Sequence, residues 1–161
     1  MALLNRDGEI IEPTSISNGA AAVGGRAITP LADWSPSSGE GLLLEPTDEP
    51  EATHTNAPLI AINFPAFSDG RGLSLAVLLR TRYGYTGELR AVGDVHPDVI
   101  HYMKRCGFDT FQMPEGRTLP PAANDAAGNH NTSNTPAPHS DYYQASVIHP
   151  EPAYRRVRRG V

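Results

Sequence analysis

The sequence holds a single cysteine and a single lysine among its 161 residues. One cysteine, Cys106, cannot form an intrachain disulfide, hold an iron–sulfur cluster alone or complete a Cys-x-x-Cys-His haem attachment. No apolar run approaches the roughly 20 residues of a membrane span. The first residues also lack the basic start and long apolar stretch of a signal peptide. We therefore expect a cytoplasmic protein that does not bind membranes.

Positive charge is scarce at the N-terminal end of the chain. Residues 1–56 carry nine acidic and two basic side chains, whereas the remainder is nearly balanced. A nucleic-acid binder presents a basic face interleaved with stacking aromatic side chains. The basic run at residues 155–159 is short and terminal. We expect no nucleic-acid partner, and we interpret this run as a solvated end or a contact for an acidic surface.

The six histidines do not form a metal-binding pattern. His96 and His101 are five residues apart, one more than places two ligands on one helix face. The other histidines fall in predicted loops, and no serine stands in a nucleophile-elbow pattern. We therefore expect neither a metal nor a cofactor held by this chain alone.

Glycine and proline are abundant, fifteen of each, so much of the chain should be irregular. Residues 57–114 differ, because they hold most of the large apolar side chains. An apolar run at residues 59–62, closed by a proline at 65, predicts a strand buried on both faces. Alternating apolar and charged residues at 88–92 predict a second strand, and residues 108–113 a third.

Two helices are predicted between these strands. The first spans residues 73–83; Ser68 or Asp69 can cap it, and Gly84 is placed to end it in the left-handed conformation. The second begins near His96 and ends at Gly107. Its predicted apolar stripe consists of Val99, Tyr102, Met103 and Cys106. The expected fold class is α/β, with a small three-stranded parallel βαβαβ core, extra short strands from the N-terminal segment and long irregular flanks.

The flanks are predicted to have different roles. Residues 1–56 should be partly ordered and pack on the core, with little order from 13 to 25. Residues 115–140 are poor in large apolar side chains and should form a disordered loop. Residues 141–161 combine an aromatic docking segment with the basic tail.

Right-handed crossovers place both helices on the same face of the sheet. The opposite face of the βαβαβ unit is then bare, and the flanking segments, a second copy or another protein must cover it. The segment containing Trp34 and the apolar run at residues 41–44 are candidates for part of this cover.

Candidate binding residues lie mainly at the carboxyl ends of the strands, where α/β folds place ligands. Two glycines, a helix N-terminus and an arginine could hold an oxyanion such as phosphate. Alternatively, Asp69 caps the helix while Arg71 pairs with Asp94 or another carboxylate. The core arginines either form ion pairs, with Glu88 a candidate partner for Arg90, or dock a protein. The candidate binding residues, for an oxyanion or a partner, are Ser68, Asp69, Gly70, Arg71, Gly72, Arg80, Arg90, Asp94 and Arg105; no catalytic residue is assigned, and Cys106 is interpreted as a core residue.

The strings at residues 64–76, 84–95 and 105–109 resemble a bacterial domain-of-unknown-function family, number 934. The resemblance covers most of residues 59–113. Its members are typically encoded beside the assimilatory sulfite reductase haemoprotein and are sometimes labelled oxidoreductases. After Asp94 the family usually has an Asp-Gln pair, whereas this chain has Asp98 followed by valine.

The resemblance implies a role in sulfur assimilation, at an unspecified step in reducing sulfite to sulfide. One hypothesis is an accessory subunit that docks on the sulfite reductase haemoprotein through the bare sheet face or the arginine-rich edge. The other is a small oxyanion- or phosphate-binding enzyme domain that uses Asp69, Arg71 and Asp94. A non-catalytic subunit is favoured over a self-sufficient oxidoreductase, and a homo-oligomer stays open.

Overall fold

The computed structural model describes residues 2–11, 15–17, 20–22, 27–116, 146–147 and 150. These residues form a mixed α/β fold, as predicted, with a seven-stranded, mostly parallel sheet and two α-helices. In chain order the elements are β1 (Ala2–Leu4), β2 (Ile10–Ile11), β3 (Ser15–Ser17), β4 (Ala20–Ala22), β5 (Ile28–Pro30), β6 (Gly41–Leu44), a 3₁₀ helix (Ala52–Asn56), β7 (Leu59–Phe64), α1 (Arg71–Thr81), β8 (Glu88–Gly93), α2 (Pro97–Cys106) and β9 (Thr110–Met113).

The sheet has the strand order β2-β1-β9-β8-β7-β6-β5. Strands β5 to β9 lie side by side in chain order, and every pair among them is parallel. The N-terminal strand β1 returns to pair antiparallel with β9, and β2 pairs antiparallel with β1. The predicted three-stranded unit β7-β8-β9 therefore forms the middle of a wider sheet.

The N-terminal segment widens the sheet instead of covering its face. Residues 41–44, considered as cover, form β6 and pair with β7, and β5 pairs with β6. Trp34 packs against the helix-side core, and its indole Nε1 donates to the Glu40 carbonyl at 3.2 Å. Within the stretch predicted to have little order, β3 and β4 pair as an antiparallel hairpin. The remainder of that stretch lies outside the described residues, as do residues 117–145. Of the predicted docking segment and basic tail at 141–161, only residues 146, 147 and 150 are described.

Both helices pack on one face of the sheet, as the handedness rule predicts. Alternate residues of β7 and β8, such as Ile60, Ile62 and Leu89, meet Leu79 of α1 and Met103 of α2 in a single core. Burial of this continuous apolar face is the main term that stabilises the fold.

The second face of the sheet is also buried within a single copy of the chain. Ile28, Leu59, Ala61 and Val92 form a smaller apolar cluster there. Arg90 on the same face has no solvent-accessible surface. Of the three covers considered from the sequence, neither a second copy nor another protein is needed to exclude water from these side chains.

The helix termini follow the sequence signals closely. Helix α1 begins two residues before its predicted start, and Gly84 beyond its end has the left-handed φ of 65°. Helix α2 has His96 as its N-cap and ends at Gly107, with φ 108°. Its buried residues are Ile100, Met103 and Cys106, so the predicted stripe is wrong at Tyr102, which is 52% exposed. The helix is rotated so that Ile100 faces the core and Tyr102 faces out.

Candidate functional site

An exposed aromatic side chain lies at the carboxyl ends of the central strands. Phe67, in the loop between β7 and α1, is 53% exposed. Its backbone N–H donates to Oδ2 of Asp94 at 3.0 Å, and its ring centroid lies 5.6 Å from that of His96. The two loops that leave β7 and β8 are thereby joined, and they hold the ring at the edge of the sheet.

The loop after β8 is shaped by a tight backbone contact. The Asp94 N–H donates to the Phe64 carbonyl at 2.7 Å. Gly93 has φ 91°, and a Cβ there would lie 2.5 Å from the same carbonyl oxygen. Because a side chain would collide with β7, only glycine permits this turn. The position of Asp94, and through it that of Phe67, depends on this geometry.

Asp69 and Arg71 bind each other. The Arg71 guanidinium donates through Nε at 3.0 Å and Nη2 at 2.7 Å to the two carboxylate oxygens of Asp69. The Asp69 carboxylate also accepts the Arg71 N–H at 3.1 Å, so it caps the first turn of α1. These hydrogen bonds from Arg71 lower the pKa of Asp69. Asp69 binds a first-turn amide, as predicted, although the N-cap residue itself is Gly70. The carboxylate that pairs with Arg71, expected to be Asp94 or another, is Asp69.

Further carboxylates surround this edge. The Asn63 amide donates to Glu45 at 2.9 Å and 3.2 Å, and the Glu45 N–H donates to Asp48 at 2.7 Å. We define the Phe67 edge as the surface formed by Glu45, Asp48, Phe67, Asp69, Arg71, Asp94, His96 and Asp98. Its carboxylates outnumber its one arginine, so the surface is acidic around an exposed aromatic ring.

The other residues of the predicted glycine-rich site are Ser68, Gly70 and Gly72. Ser68 and Gly70 are exposed. Gly70 is the N-cap residue of α1 and has no side chain with which to accept a helix amide. Gly72 is buried against β7, where a Cβ would lie 2.8 Å from the Phe64 ring. This glycine therefore serves the close approach of helix and strand, not access to a ligand.

Arg80 lies at the opposite edge of the sheet, where the strands begin. It is about 13 Å from Arg71 along the axis of α1, since an α-helix rises roughly 1.5 Å per residue. Its guanidinium donates to the carbonyls of Tyr85 at 2.7 Å, Gly87 at 2.9 Å and Gly107 at 3.1 Å. It also forms an ion pair with Asp109. Arg80 thus fastens the end of α1 to the loops that enter β8 and β9, and it does not contribute to the Phe67 edge.

Arg90 belongs to a polar network on the second face. Its Nη2 donates to Glu88 at 2.7 Å, and Nε lies 3.3 Å from the Thr110 hydroxyl, which in turn donates to Glu88 at 2.6 Å. The predicted pairing with Glu88 is confirmed. The Arg90 side chain is buried, and the partly buried Arg80 guanidinium is bound to backbone carbonyls and Asp109, so these two residues do not form the arginine-rich docking surface considered from the sequence.

Arg105 and Cys106 lie in the last turn of α2, beside a cavity on the outer side of the two helices. Cys106 is 7% exposed, and burial raises the pKa of its thiol, as expected for a core residue. The structure therefore divides the predicted site residues among the Phe67 edge, the opposite edge, the second face and the outer helix surface.

Two functional candidates escaped the sequence analysis. Phe67 has a local signal, since it is an aromatic residue in a loop of small and polar residues. His54 was predicted in a loop, but it lies in the 3₁₀ helix, 4% exposed, with its ring 5.9 Å from that of Trp34. Burial lowers the pKa of His54. No sequence pattern links two residues that meet only through tertiary packing.

Within the described ranges, no three histidine, cysteine or acidic side chains are grouped so that they could hold a metal ion. Across the same residues, neither helix has the length and apolar character needed to traverse a membrane.

Comparison with protein families places most of the chain in a known family. The model of DUF934, described as a bacterial protein of unknown function, matches residues 41–154. No curated protein and no solved structure matches the chain. The matched range includes β6 to β9, both helices and all the described residues of the Phe67 edge.

Proposed function

This chain belongs to the DUF934 family of bacterial proteins of unknown function, and from that premise we propose that it is a non-catalytic accessory protein of assimilatory sulfate and sulfite reduction. Its proposed partner is the sulfite reductase haemoprotein, which the resemblance of the core strings suggests. The observation that carries the docking role is the exposed Phe67 ring on an acidic edge.

Phe67 has the properties of an interface anchor. Its backbone is bound to Asp94 and its ring contacts His96, so little conformational freedom remains to be lost on binding. Aromatic side chains with a polar rim are enriched among the residues that dominate binding energies. The carboxylates around the ring favour a partner with a basic surface. A haemoprotein that reduces sulfite must attract an anion and should present such cationic groups.

The alternative, an oxyanion- or phosphate-binding enzyme domain at Asp69, Arg71 and Asp94, has weaker support. The Arg71 guanidinium is bound to Asp69 through both Nε and Nη2. The neighbouring carboxylates repel an incoming anion. For these reasons the edge suits a cationic partner better than an oxyanion.

Docking can be tested by mixing the protein with the haemoprotein of the same host and measuring mass in solution and affinity by calorimetry. Phe67→Ala should weaken binding by about tenfold or more. Tyr102→Ala is the matched control, because Tyr102 is exposed to the same extent, 52% against 53%, on another surface. Binding should also weaken as salt rises.

Failure to form a complex with the haemoprotein would contradict the proposed partner. Two outcomes would contradict the proposed surface. Either Phe67→Ala and Tyr102→Ala lower the affinity for the haemoprotein equally, or neither substitution changes it. For the alternative function, a saturable change in the amide resonances of residues 70–72 on adding sulfate or phosphate would favour the oxyanion site.

A further inference from the structure

A cavity of about 400 Å³ lies on the outer side of α1 and α2, away from the Phe67 edge. Val77 and Thr81 of α1 form one wall, and Tyr102, Arg105 and Cys106 of α2 form another. Ser146, Val147 and Pro150 close the remaining side. The cavity is within the size range of small-molecule sites, roughly 300–1,000 Å³.

The C-terminal wall is fixed to the helices by its backbone. The Val147 N–H donates to the Arg105 carbonyl at 3.2 Å. A Cβ built on Gly107 would lie 3.3 Å from a methyl carbon of Val147, so this side chain packs closely on the end of α2. The cavity is therefore bounded by three separate parts of the chain.

Most of the lining cannot bind a polar ligand strongly. Val77, Val147 and Pro150 are apolar, and the Thr81 hydroxyl donates to the Val77 carbonyl at 2.7 Å. Burial raises the pKa of the Cys106 thiol, which keeps it neutral at pH 7. A ligand in this space would bury an apolar or aromatic body against these side chains.

Arg105 gives the cavity its charge. Its Nε atom is inaccessible to solvent, and its guanidinium group carries a positive charge. Lys104 is adjacent on the same helical turn, and both cations, after burial, lower the pKa of His101. The end of α2 thus presents a positive field beside an apolar space.

We propose that this cavity binds a small amphiphilic anion. The apolar or aromatic body would lie between Val77 and Val147, the ring of Tyr102 would cover it at the mouth, and the carboxylate or sulfonate would face Arg105. Guanidinium groups bind planar or tetrahedral oxyanions through charge-assisted hydrogen bonds. The residues of this cavity are separate from the Phe67 edge, so ligand binding here does not require the haemoprotein.

The test compares two dyes with the same kind of apolar body. Anilinonaphthalene sulfonate carries the anionic head, and phenylnaphthylamine lacks it. Fluorescence titrations of the full chain measure the affinity for each dye. Arg105→Gln should lower the affinity for the sulfonate dye by about tenfold and change the affinity for the neutral dye by less than about twofold. Val77→Trp fills the cavity and should abolish binding of both. Arg82→Gln, at an exposed arginine that stacks on Tyr83, is the control and should change neither affinity.

Sulfonate binding that survives Val77→Trp, or that Arg105→Gln and Arg82→Gln weaken equally, would overturn the proposal. The same holds if Arg105→Gln weakens both dyes alike. Because such dyes also bind partly unfolded chains, each variant is first checked for a native near-ultraviolet circular dichroism spectrum. If Val77→Trp does not fold, Ser146→Trp fills the cavity from the opposite wall and carries the same expectations.

Discussion

Arg80 and Arg71 lie at opposite ends of α1 and differ in what their guanidinium groups do for the fold. The Arg80 side chain is 13% exposed and binds three backbone carbonyls together with Asp109. The Arg71 side chain is 59% exposed and binds Asp69, two residues away. Carbonyls that have lost water need a replacement donor, whereas an exposed ion pair is largely screened.

We expect Arg80→Met to lower the free energy of unfolding by about 1–3 kcal/mol, since it leaves the carbonyls of Tyr85, Gly87 and Gly107 without their hydrogen-bond donor. Arg71→Ala should leave the urea midpoint unchanged. Urea denaturation followed by circular dichroism measures both variants. Equal midpoint shifts in the two proteins would show that Arg80 does not act as a structural clamp.

His54 makes stability depend on pH. It is buried, its Nδ1 accepts the Glu51 N–H at 3.1 Å, and burial lowers its pKa from 6.5. The unfolded chain therefore takes up a proton at a higher pH than the folded chain. The contribution is fully present above about pH 6.5 and is lost as pH falls below it.

His54→Gln should reduce the loss of stability between about pH 7.5 and 5.5 relative to the native protein. His101, whose pKa is also lowered, is present in both proteins and cancels in the comparison. Urea midpoints across this range supply the data. Parallel pH profiles for the two proteins would contradict the role of His54.

At the scale of elements, two glycines at the start of helix α1 have different surroundings: Gly70 is the N-cap, and Gly72 lies in the first turn where the helix approaches β7 closely. A Cβ on Gly72 would lie 2.8 Å from the Phe64 ring, whereas a Cβ on Gly70 has nothing within 4 Å. Gly70 also has an ordinary φ of −72°. Helix propensity alone would favour alanine over Gly72, whereas glycine is the better N-cap residue at position 70.

We expect Gly72→Ala to destabilise the protein by about 1–3 kcal/mol, because the helix or the ring must move. Gly70→Ala should change stability by less than about 1 kcal/mol. Thermal unfolding of the two variants side by side measures the difference. A Gly72→Ala protein as stable as the native one would mean that the helix–strand contact adjusts freely.

Sequence reasoning succeeded for elements with local signals. Pro97 and Gly107 bound α2 as expected, and the alternation around Arg90 identified both β8 and its ion pair. It failed where distant residues decide the outcome. Strand β1 is three residues long and forms only because β9 lies beside it. The rotation of α2 about its axis depends on where the sheet surface lies. An i, i+3 pattern of apolar residues does not contain that information.

For the candidate site, the sequence grouped Asp69, Arg71 and Asp94 at one end of the strands but did not predict their contacts. Asp69, Arg71 and Asp94 were identified from loop composition and strand direction. That Asp69 would bind Arg71, and that Asp94 would hold Phe67, depends on how two loops meet after folding. Hydrogen-bond partners 27 residues apart leave no local pattern.

At the scale of the whole molecule, both faces of the sheet are buried within one copy of the chain. We therefore expect the isolated protein to be folded, with an unfolding midpoint independent of protein concentration. Denaturation at several concentrations, with mass measured in solution, tests this. A midpoint that rises with concentration would show that a second copy contributes to the fold.

The strand order also has a consequence for biosynthesis. A ribosome releases β5 to β9 in the sequence in which they lie across the sheet, so each can add to its predecessor as it emerges. The first strand, β1, emerges earliest, yet its place is beside the last, with Leu4 opposite Phe111. At translation rates of about 5–20 residues per second, it waits roughly 5 to 20 seconds for that neighbour. During this interval the segment that carries β1 is exposed to chaperones and proteases.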